Sequence, residues 1–197
     1  MEKGYPSLQV YLCRHGETAW TLSGQHTSFS DIPLTENGIV QAEKLRDRLK
    51  GIEFDRVFTS PLIRAKTTCE IAGYEDEAQI WDDLLEWNYG DLEGMTTPEI
   101  RKTIPGWTVF NDGSPGGESI QEVSVRADNV IEWVRQFSGK VALFSSGHFS
   151  RVLAARWVGL YAGDGRSLAL DTGSLSILGY ERDVPVIRLW NNTDFLS

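Results

Sequence analysis

The feature that most constrains the fold of this chain is a repeated order of strand pattern and helix pattern. Residues 8–13 (LQVYLC) form the continuous apolar run of a buried strand, and Thr35 can cap a helix that runs to about Lys50. A second strand at residues 55–59 leads into Ser60-Pro61, where an N-cap followed by proline predicts a helix ending near Gly73.

The second half of the chain repeats this order and adds a hairpin. Thr97-Pro98 is a further helix start, and Ser119 with Glu122 forms a capping box before an apolar helical stripe. Residues 141–145 (VALFS) predict another buried strand, which feeds a helix at about 149–158. Residues 174–180 and 184–190 predict an antiparallel hairpin.

The alternation favours an α/β fold, a three-layer sandwich in which helices cover both faces of a mostly parallel sheet with an antiparallel edge strand or hairpin. We expect one domain over residues 1–197, because 41% hydrophobic residues can bury a core without disulfides. Cys13 and Cys69 are too few for a disulfide framework and lack metal-ligand spacing, so we interpret them as reduced packing residues. The start of the chain has no signal-peptide pattern and no apolar run is long enough for a membrane span, which predicts a cytoplasmic protein.

The formal net charge of −9 argues against nucleic acid or an anionic membrane as the partner. A small anionic substrate is still compatible with this charge, provided that a few cations are placed around it. Ligands of parallel sheets bind at the carboxyl ends of the strands. Three segments fall there, namely Arg14-His15-Gly16, residues 60–64 with Arg64, and Ser146-Gly147-His148. The pattern therefore predicts that two histidines and two arginines converge on one rim.

Such a cluster suits phosphoryl transfer. A neutral imidazole such as that of His15 is a competent nucleophile near pH 7, and neighbouring arginines favour its neutral form. Arg14 and Arg64 can each pair two phosphate oxygens through a planar guanidinium. An ordinary turn at His15 and a solvated helix residue at Arg64 are the alternatives.

The leaving oxygen of a phosphate ester needs a proton, and Glu86 is our candidate donor because Trp87 and Tyr89 can exclude water around it. Asp91 and Glu93 are competitors, and spacing alone does not choose among the three carboxylates.

Six motifs in order resemble the histidine phosphatase superfamily, which includes the phosphoglycerate mutases. They are Arg14-His15-Gly16-Glu17-Thr18, residues 31–38, Thr59-Ser60-Pro61 with Arg64, Glu86 with residues 89–94, Gly117-Glu118-Ser119, and Gly147 with Arg151. The resemblance implies that His15 becomes phosphorylated, that Arg14 and Arg64 hold the phosphate, and that Glu86 donates the proton. It also implies that no metal or other cofactor takes part and that further residues line the substrate pocket: Thr21, Thr27, Ser28, Tyr89, Gly147 and His148.

One position departs from the family pattern. The second catalytic histidine of the family precedes the glycine that is Gly147 here, and this chain has Ser146 instead. Three interpretations stay open: His148 stabilises the transferring phosphoryl group, Ser146 donates a weaker hydrogen bond in a slower enzyme, or the protein binds phosphate with impaired catalysis.

Residues 23–27, 86–94 and 107–113 resemble the sugar-bisphosphatase branch of the family, whose type member acts on sedoheptulose 1,7-bisphosphate. A second phosphate needs further cations, and Arg151, Arg101 and Lys102 are candidates; a salt bridge to the core is the alternative for Arg151. A phosphoglycerate mutase is the nearest rival function. Mutases of this family carry extra segments that close the pocket, and residues 94–119 leave little material for them.

The chain has seven tryptophans. The helical spacing predicts that Trp133 and Trp157 are core residues, and Trp20, Trp87 and Trp107 are expected in loops near the pocket. His26 is expected either at the mouth of the site or on an uninvolved surface loop.

Overall fold

A computed structural model describes residues 7–197 and shows a six-stranded mixed sheet between layers of helices. The strands are β1 (Gln9–Arg14), β2 (Arg56–Thr59), β3 (Ala78–Ile80), β4 (Lys140–Ser145), β5 (Leu175–Glu181) and β6 (Val184–Asn192). The helices are α1 (Ala19–Ser23), α2 (Glu36–Leu49), α3 (Ile63–Ile71), α4 (Thr97–Thr103), α5 (Val109–Asp112), α6 (Ile120–Val134) and α7 (Gly147–Trp157).

The strand order is β3-β2-β4-β1-β5-β6. The first four strands pair in parallel, and β5 and β6 complete the sheet as an antiparallel pair. This arrangement confirms the predicted sheet with its edge hairpin.

Alternate side chains of the central strands point to opposite faces, and each face has its own hydrophobic cluster. Val10 and Leu12 of β1 pack with α6 and α7, whereas Tyr11 and Cys13 pack with α2 and α3. Helices therefore cover both faces, as the alternating pattern predicts. Cys13 and Cys69 are both free and buried, which confirms their interpretation as packing residues.

Three of the four helix starts that the capping signals predict are found, and one is wrong. At Thr97-Pro98, α4 begins with Thr97 after an N-cap at Thr96. Thr35 caps α2, and Ser119 with Glu122 forms the capping box of α6. The prediction that Ser60-Pro61 begins a helix is wrong, since α3 begins at Ile63. The carboxylate of Asp31 accepts a hydrogen bond from the Ile63 N–H at 2.6 Å, so a distant residue supplies the partner that the local cap does not.

Two other features differ from expectation. The prediction that Trp133 is a core residue is wrong, since it is 47% exposed near the end of α6 and packs edge-on against Trp81 and Phe137. Trp157 is buried as predicted. Strand β3 was not predicted, since three residues are too few to show an alternation.

Among the described residues, no helix has both the length and the apolar character that a membrane crossing needs. The prediction that the chain starts without a signal peptide rests in part on residues 1–6, which lie outside the described range. Cytoplasmic location and a single domain stay predictions.

Candidate active site

Strand register brings the predicted segments to one rim of the sheet. Cys13 is level with Phe144, which is level with Thr59, so β1, β4 and β2 end side by side. Backbone hydrogen bonds continue past the strand ends, from the His15 N–H to the carbonyl of Ser145 at 3.0 Å and from the Ser60 N–H to that of Phe144 at 2.9 Å. A pocket of about 160 Å³ opens above these ends. Its lining contains Arg14, His15, Arg64, Glu86 and His148, so all five predicted catalytic side chains meet there.

His15 is 4% exposed, and its ring is held by its own turn. Nδ1 lies 2.8 Å from the carbonyl oxygen of Gly16. A carbonyl can only accept, so Nδ1 carries the proton and the lone pair of the neutral ring is on Nε2. Burial, together with the positive charges of Arg64 and Arg14, lowers the pKa of His15 well below its usual value of 6.5. The imidazole is therefore neutral near pH 7, with a nucleophilic nitrogen.

The turn after His15 requires glycine because another turn packs directly against it. A Cβ at Gly16 would lie 2.3 Å from the carbonyl oxygen of Gly38, and one at Gly38 would lie 2.2 Å from that of Glu17. Glu17 ties the two turns together by accepting hydrogen bonds from Thr35 Oγ1 at 2.7 Å and from the Asn37 side chain at 3.0 Å. The start of α2 thus fixes the turn that orients His15.

Arg64 lies on the first turn of α3 and is 1% exposed. Its guanidinium donates to three backbone carbonyls of the loop that borders the pocket, those of Thr27, Ser28 and Ser30, at 3.0–3.2 Å. Glu93 holds the same loop from the other side by accepting from the N–H groups of Ser28 and Ser30. Arg64 is therefore fixed in orientation before any ligand binds.

Arg14 ends β1, and its Nη1 donates to the carbonyl of Leu170. The flat face of its guanidinium lies against Gly147, where a Cβ would come within 3.1–3.3 Å of the guanidinium atoms. Glycine at 147 thus leaves room for Arg14 beside the start of α7.

In the described chain neither cation forms an ion pair, and the Glu86 carboxylate acts on both only from across the shared pocket. Within residues 7–197, the ion pairs join Arg46 to Asp47, Arg126 to Glu118 and Arg156 to Asp128, and none involves Arg14 or Arg64. The Nε atoms of Arg14 and Arg64 are buried and have no hydrogen-bond partner in this part of the chain. Burying a charge without an ion-pair partner is unfavourable, and a bound anion would offset that cost. The pocket is therefore built for an anion.

Glu86 lines the same pocket and is 7% exposed. Oε1 accepts hydrogen bonds from the N–H groups of Trp87 at 2.9 Å and Phe149 at 2.7 Å, and Oε2 accepts from the N–H of His148 at 3.0 Å. The carboxyl group thus sits at the N-terminus of α7, where donors are in excess. Its competitors Asp91 and Glu93 do not line this pocket.

His148 and Tyr89 form a pair beside Glu86. The Tyr89 hydroxyl hydrogen-bonds Nδ1 of His148, and burial raises the pKa of Tyr89 well above its usual value of 10. Burial and the charge of Arg151 lower the pKa of His148 well below 6.5. When the protonated phenol donates to Nδ1, the proton of the neutral ring is on Nε2, which becomes a donor.

Ser146 is the N-cap residue of α7 but does not cap it through its side chain. Its hydroxyl is buried and has no hydrogen-bond partner among the described residues. Ser146 and Gly147 lie beside the pocket without lining it, whereas His148 is part of the lining.

The remaining predicted residues are divided between the pocket and its surroundings. Thr21, Thr27 and Tyr89 line the pocket, and Ser28 instead uses its hydroxyl to hold Glu93. Arg151 lines a neighbouring cavity.

The lining of the His15 pocket also contains residues for which the sequence predicts no binding role, namely Thr18, Gly24 and Gln25. The capping box of Thr18 with Thr21 is the signal that could have placed them, because it starts α1 shortly after His15 in the chain.

Comparison with known proteins agrees with this geometry. The model of the histidine phosphatase superfamily (branch 1) matches residues 10–193. An acid phosphatase of Mycobacterium tuberculosis is 40% identical over 185 residues, which are 92% of this chain and 91% of that protein. The sedoheptulose 1,7-bisphosphatase of Saccharomyces cerevisiae is 33% identical over 190 residues, 79% of this chain and 70% of that protein.

A probable phosphoglycerate mutase of Escherichia coli is 33% identical over 193 residues, 93% of this chain and 90% of that protein. Among solved structures, an open-reading-frame product of M. tuberculosis superposes with a TM-score of 0.89 at 38% identity, covering 93% of this chain and 96% of that one. The relatives named as phosphatases confirm the predicted enzyme class, a phosphoric monoester hydrolase. With the family model matching nearly its whole length, the chain belongs to branch 1 of the histidine phosphatase superfamily.

Proposed function

We propose that the protein hydrolyses small phosphate monoesters, with sugar phosphates or bisphosphates as the substrate class, through a phosphohistidine on His15. The observation that carries the proposal is the position of Arg14 and Arg64 beside His15. Within residues 7–197 neither arginine forms an ion pair and His15 Nε2 has no hydrogen-bond partner. A volume of about 160 Å³ suits a phosphoryl group and little more, since sites for drug-sized ligands have roughly 300–1,000 Å³.

In the first step His15 Nε2 forms a bond to phosphorus while the bond from phosphorus to the ester oxygen breaks. Protonated Glu86 delivers its proton to the leaving oxygen, so the alcohol departs neutral. Arg14 and Arg64 pair with the non-bridging oxygens, whose charge they stabilise in the transition state.

In the second step water attacks the phosphorus of phosphohistidine. Glu86, now ionised, takes a proton from that water, and the bond from phosphorus to Nε2 breaks. Inorganic phosphate leaves, and His15 is neutral again with Glu86 protonated, which closes the cycle.

We assign the role of the missing second histidine to His148. Its Nε2–H donor is set by the hydrogen bond from Tyr89, and its ring lines the pocket. The buried Ser146 hydroxyl lies outside the lining, so it is the weaker candidate. His148→Ala should therefore lower kcat more than Ser146→Ala does, and the reverse order would transfer the role to Ser146.

Hydrolysis is favoured over phosphoglycerate mutase activity because residues 94–119 leave little material for the extra segments by which mutases of this family close the pocket. The segment between Gly94 and Ser119 is taken up by the short helices α4 and α5 at the side of the pocket. A mutase has to exclude water from its phosphohistidine so that the phosphoryl group returns to substrate.

The proposal is tested with p-nitrophenyl phosphate, using wild type and His15→Ala. We expect measurable release of p-nitrophenol by wild type and none above background by the variant. Equal rates would remove His15 from the mechanism, and phosphate binding without turnover in both proteins would favour a non-catalytic phosphate-binding domain.

A further inference from the structure

A second cavity lies next to the active site and is not used by the mechanism above. It has a volume of about 340 Å³ and is bordered by α4, α5, α7 and the turn at Ala162–Ser167. His26 and His148 line both this cavity and the catalytic pocket, so the two spaces share a wall. The centroids of the two imidazole rings are 5.8 Å apart.

The side chains of this cavity carry positive charge only. Arg101, Arg151 and Arg166 line it, and none of its lining residues is Asp or Glu. None of the three arginines takes part in an ion pair within the described chain. On a protein with a formal net charge of −9, three such cations around one cavity form a local site for an anion.

The arginines are held in place by contacts that leave donors free. Arg151 lies over the Phe110 ring at 4.5 Å and donates to the carbonyls of Gly165 and Arg166. Arg101 uses Nε for the carbonyl of Trp107 at 3.0 Å, which leaves both terminal nitrogens of its guanidinium without a contact of this kind in residues 7–197.

Polar groups at α5 also line the cavity. Arg166 donates to the side-chain oxygen of Asn111 at 3.2 Å. Thr108 also lines the cavity, and its buried hydroxyl lacks a hydrogen-bond partner in the described residues. A buried hydroxyl without a partner is unfavourable, and an acceptor in the cavity would satisfy it.

We propose that this cavity, between Arg101 and Arg166, binds a second anionic group of the substrate while its scissile phosphate occupies the pocket of His15. The inference rests on the proposed phosphatase function and narrows its substrate class to phosphate monoesters that carry another phosphate or a carboxylate. Arg151 forms the floor of the site, and His26 with His148 contacts the part of the substrate that joins the two groups.

The test compares the double variant Arg101→Gln/Arg166→Gln with wild type on three probes. Fructose 1,6-bisphosphate carries a second phosphate, 3-phosphoglycerate carries a carboxylate, and p-nitrophenyl phosphate carries no second anion. The readout is the kcat/KM for each probe with two anionic groups divided by the kcat/KM for p-nitrophenyl phosphate. A general loss of folding or activity cancels in this ratio. Arg46→Gln, an exposed arginine of α2 on the opposite face of the sheet, is the matched control.

Each guanidinium that contacts an anion should contribute about tenfold, so the ratio should fall about 100-fold in the double variant and stay unchanged in Arg46→Gln. A fall for the bisphosphate alone identifies the second group as phosphate, and a fall for 3-phosphoglycerate alone identifies it as carboxylate; both support the proposal. An unchanged ratio for both probes overturns it. With His15-dependent p-nitrophenyl phosphate hydrolysis intact, that result would leave the proposed function standing, whereas wild-type activity of His15→Ala would refute that function separately.

Discussion

Replacing Glu86 by glutamine separates proton donation from the structural role of this side chain. The carboxylate accepts three backbone hydrogen bonds, two on Oε1 and one on Oε2. A glutamine oxygen in place of Oε1 keeps the two hydrogen bonds from Trp87 and Phe149. The amide nitrogen then faces the N–H of His148, and two donors cannot form a hydrogen bond with each other. Leaving the buried N–H of His148 without an acceptor should lower the free energy of unfolding by about 1–3 kcal/mol.

The loss of the general acid adds a substrate-dependent effect. Proton donation contributes about 10²–10⁴-fold, or about 2.7–5.5 kcal/mol of transition-state stabilisation, when the leaving group is an alkoxide. The p-nitrophenolate ion is stable without a proton, so its release should slow by less than about tenfold. We therefore expect Glu86→Gln to lower kcat for glycerol phosphate at least ten times more than kcat for p-nitrophenyl phosphate.

Glu93→Gln is the matched control. Glu93 is also partly buried and accepts several hydrogen bonds, from Ser28 and Ser30, but it does not line the pocket. We expect it to slow both substrates by the same factor. Thermal unfolding and steady-state kinetics on the two phosphate esters provide both readouts. Equal slowing of the two esters by Glu86→Gln would refute the assignment of Glu86 as proton donor.

Three further predictions follow from the site. The pKa of His15 is lowered well below 6.5, so protonation of its ring should not reduce kcat/KM until the pH is well below 6.5. Arg14→Met removes one of the charges that lower this pKa, so in a pH–rate profile the decline of kcat/KM should move to higher pH. Burial lowers the pKa of His26 to about 4, so the unfolded chain binds more protons between pH 6.5 and 4, and the free energy of unfolding should fall as the pH drops through this range. Denaturant titrations of His26→Gln should show a smaller fall, and an identical pH dependence would contradict the argument. Gly147→Ala should lower kcat/KM by about tenfold because its methyl group would displace Arg14, and an unchanged kcat/KM in steady-state kinetics would contradict this argument.

The rim of the site could be predicted from the sequence because it depends on local patterns. The strands before His15 and Ser146 are continuous apolar runs, and in a parallel sheet the ends of such strands meet at one edge. The convergence of Arg14, His15, Arg64 and His148 follows from this rule alone.

Other features depend on contacts between residues far apart in the chain. Glu86 is held by N–H groups of residues 148 and 149, and Asp31 supplies the partner for the start of α3. No local pattern reports these pairings. The second cavity is partly of this kind. Arg101 and Arg151 were candidates for a second phosphate from the sequence and do line it, whereas Lys102 does not, and no local pattern places Arg166 beside them.

The most direct test of the mechanism is a search for the phosphorylated enzyme. Wild type is mixed with ³²P-labelled substrate, quenched within one turnover, and digested for mass spectrometry. We predict one phosphoryl group on His15 that is released by acid and survives alkali, as a phosphorus–nitrogen bond does, and no label on His15→Ala. Turnover with no label in wild type, or with label on another residue, would contradict the central claim.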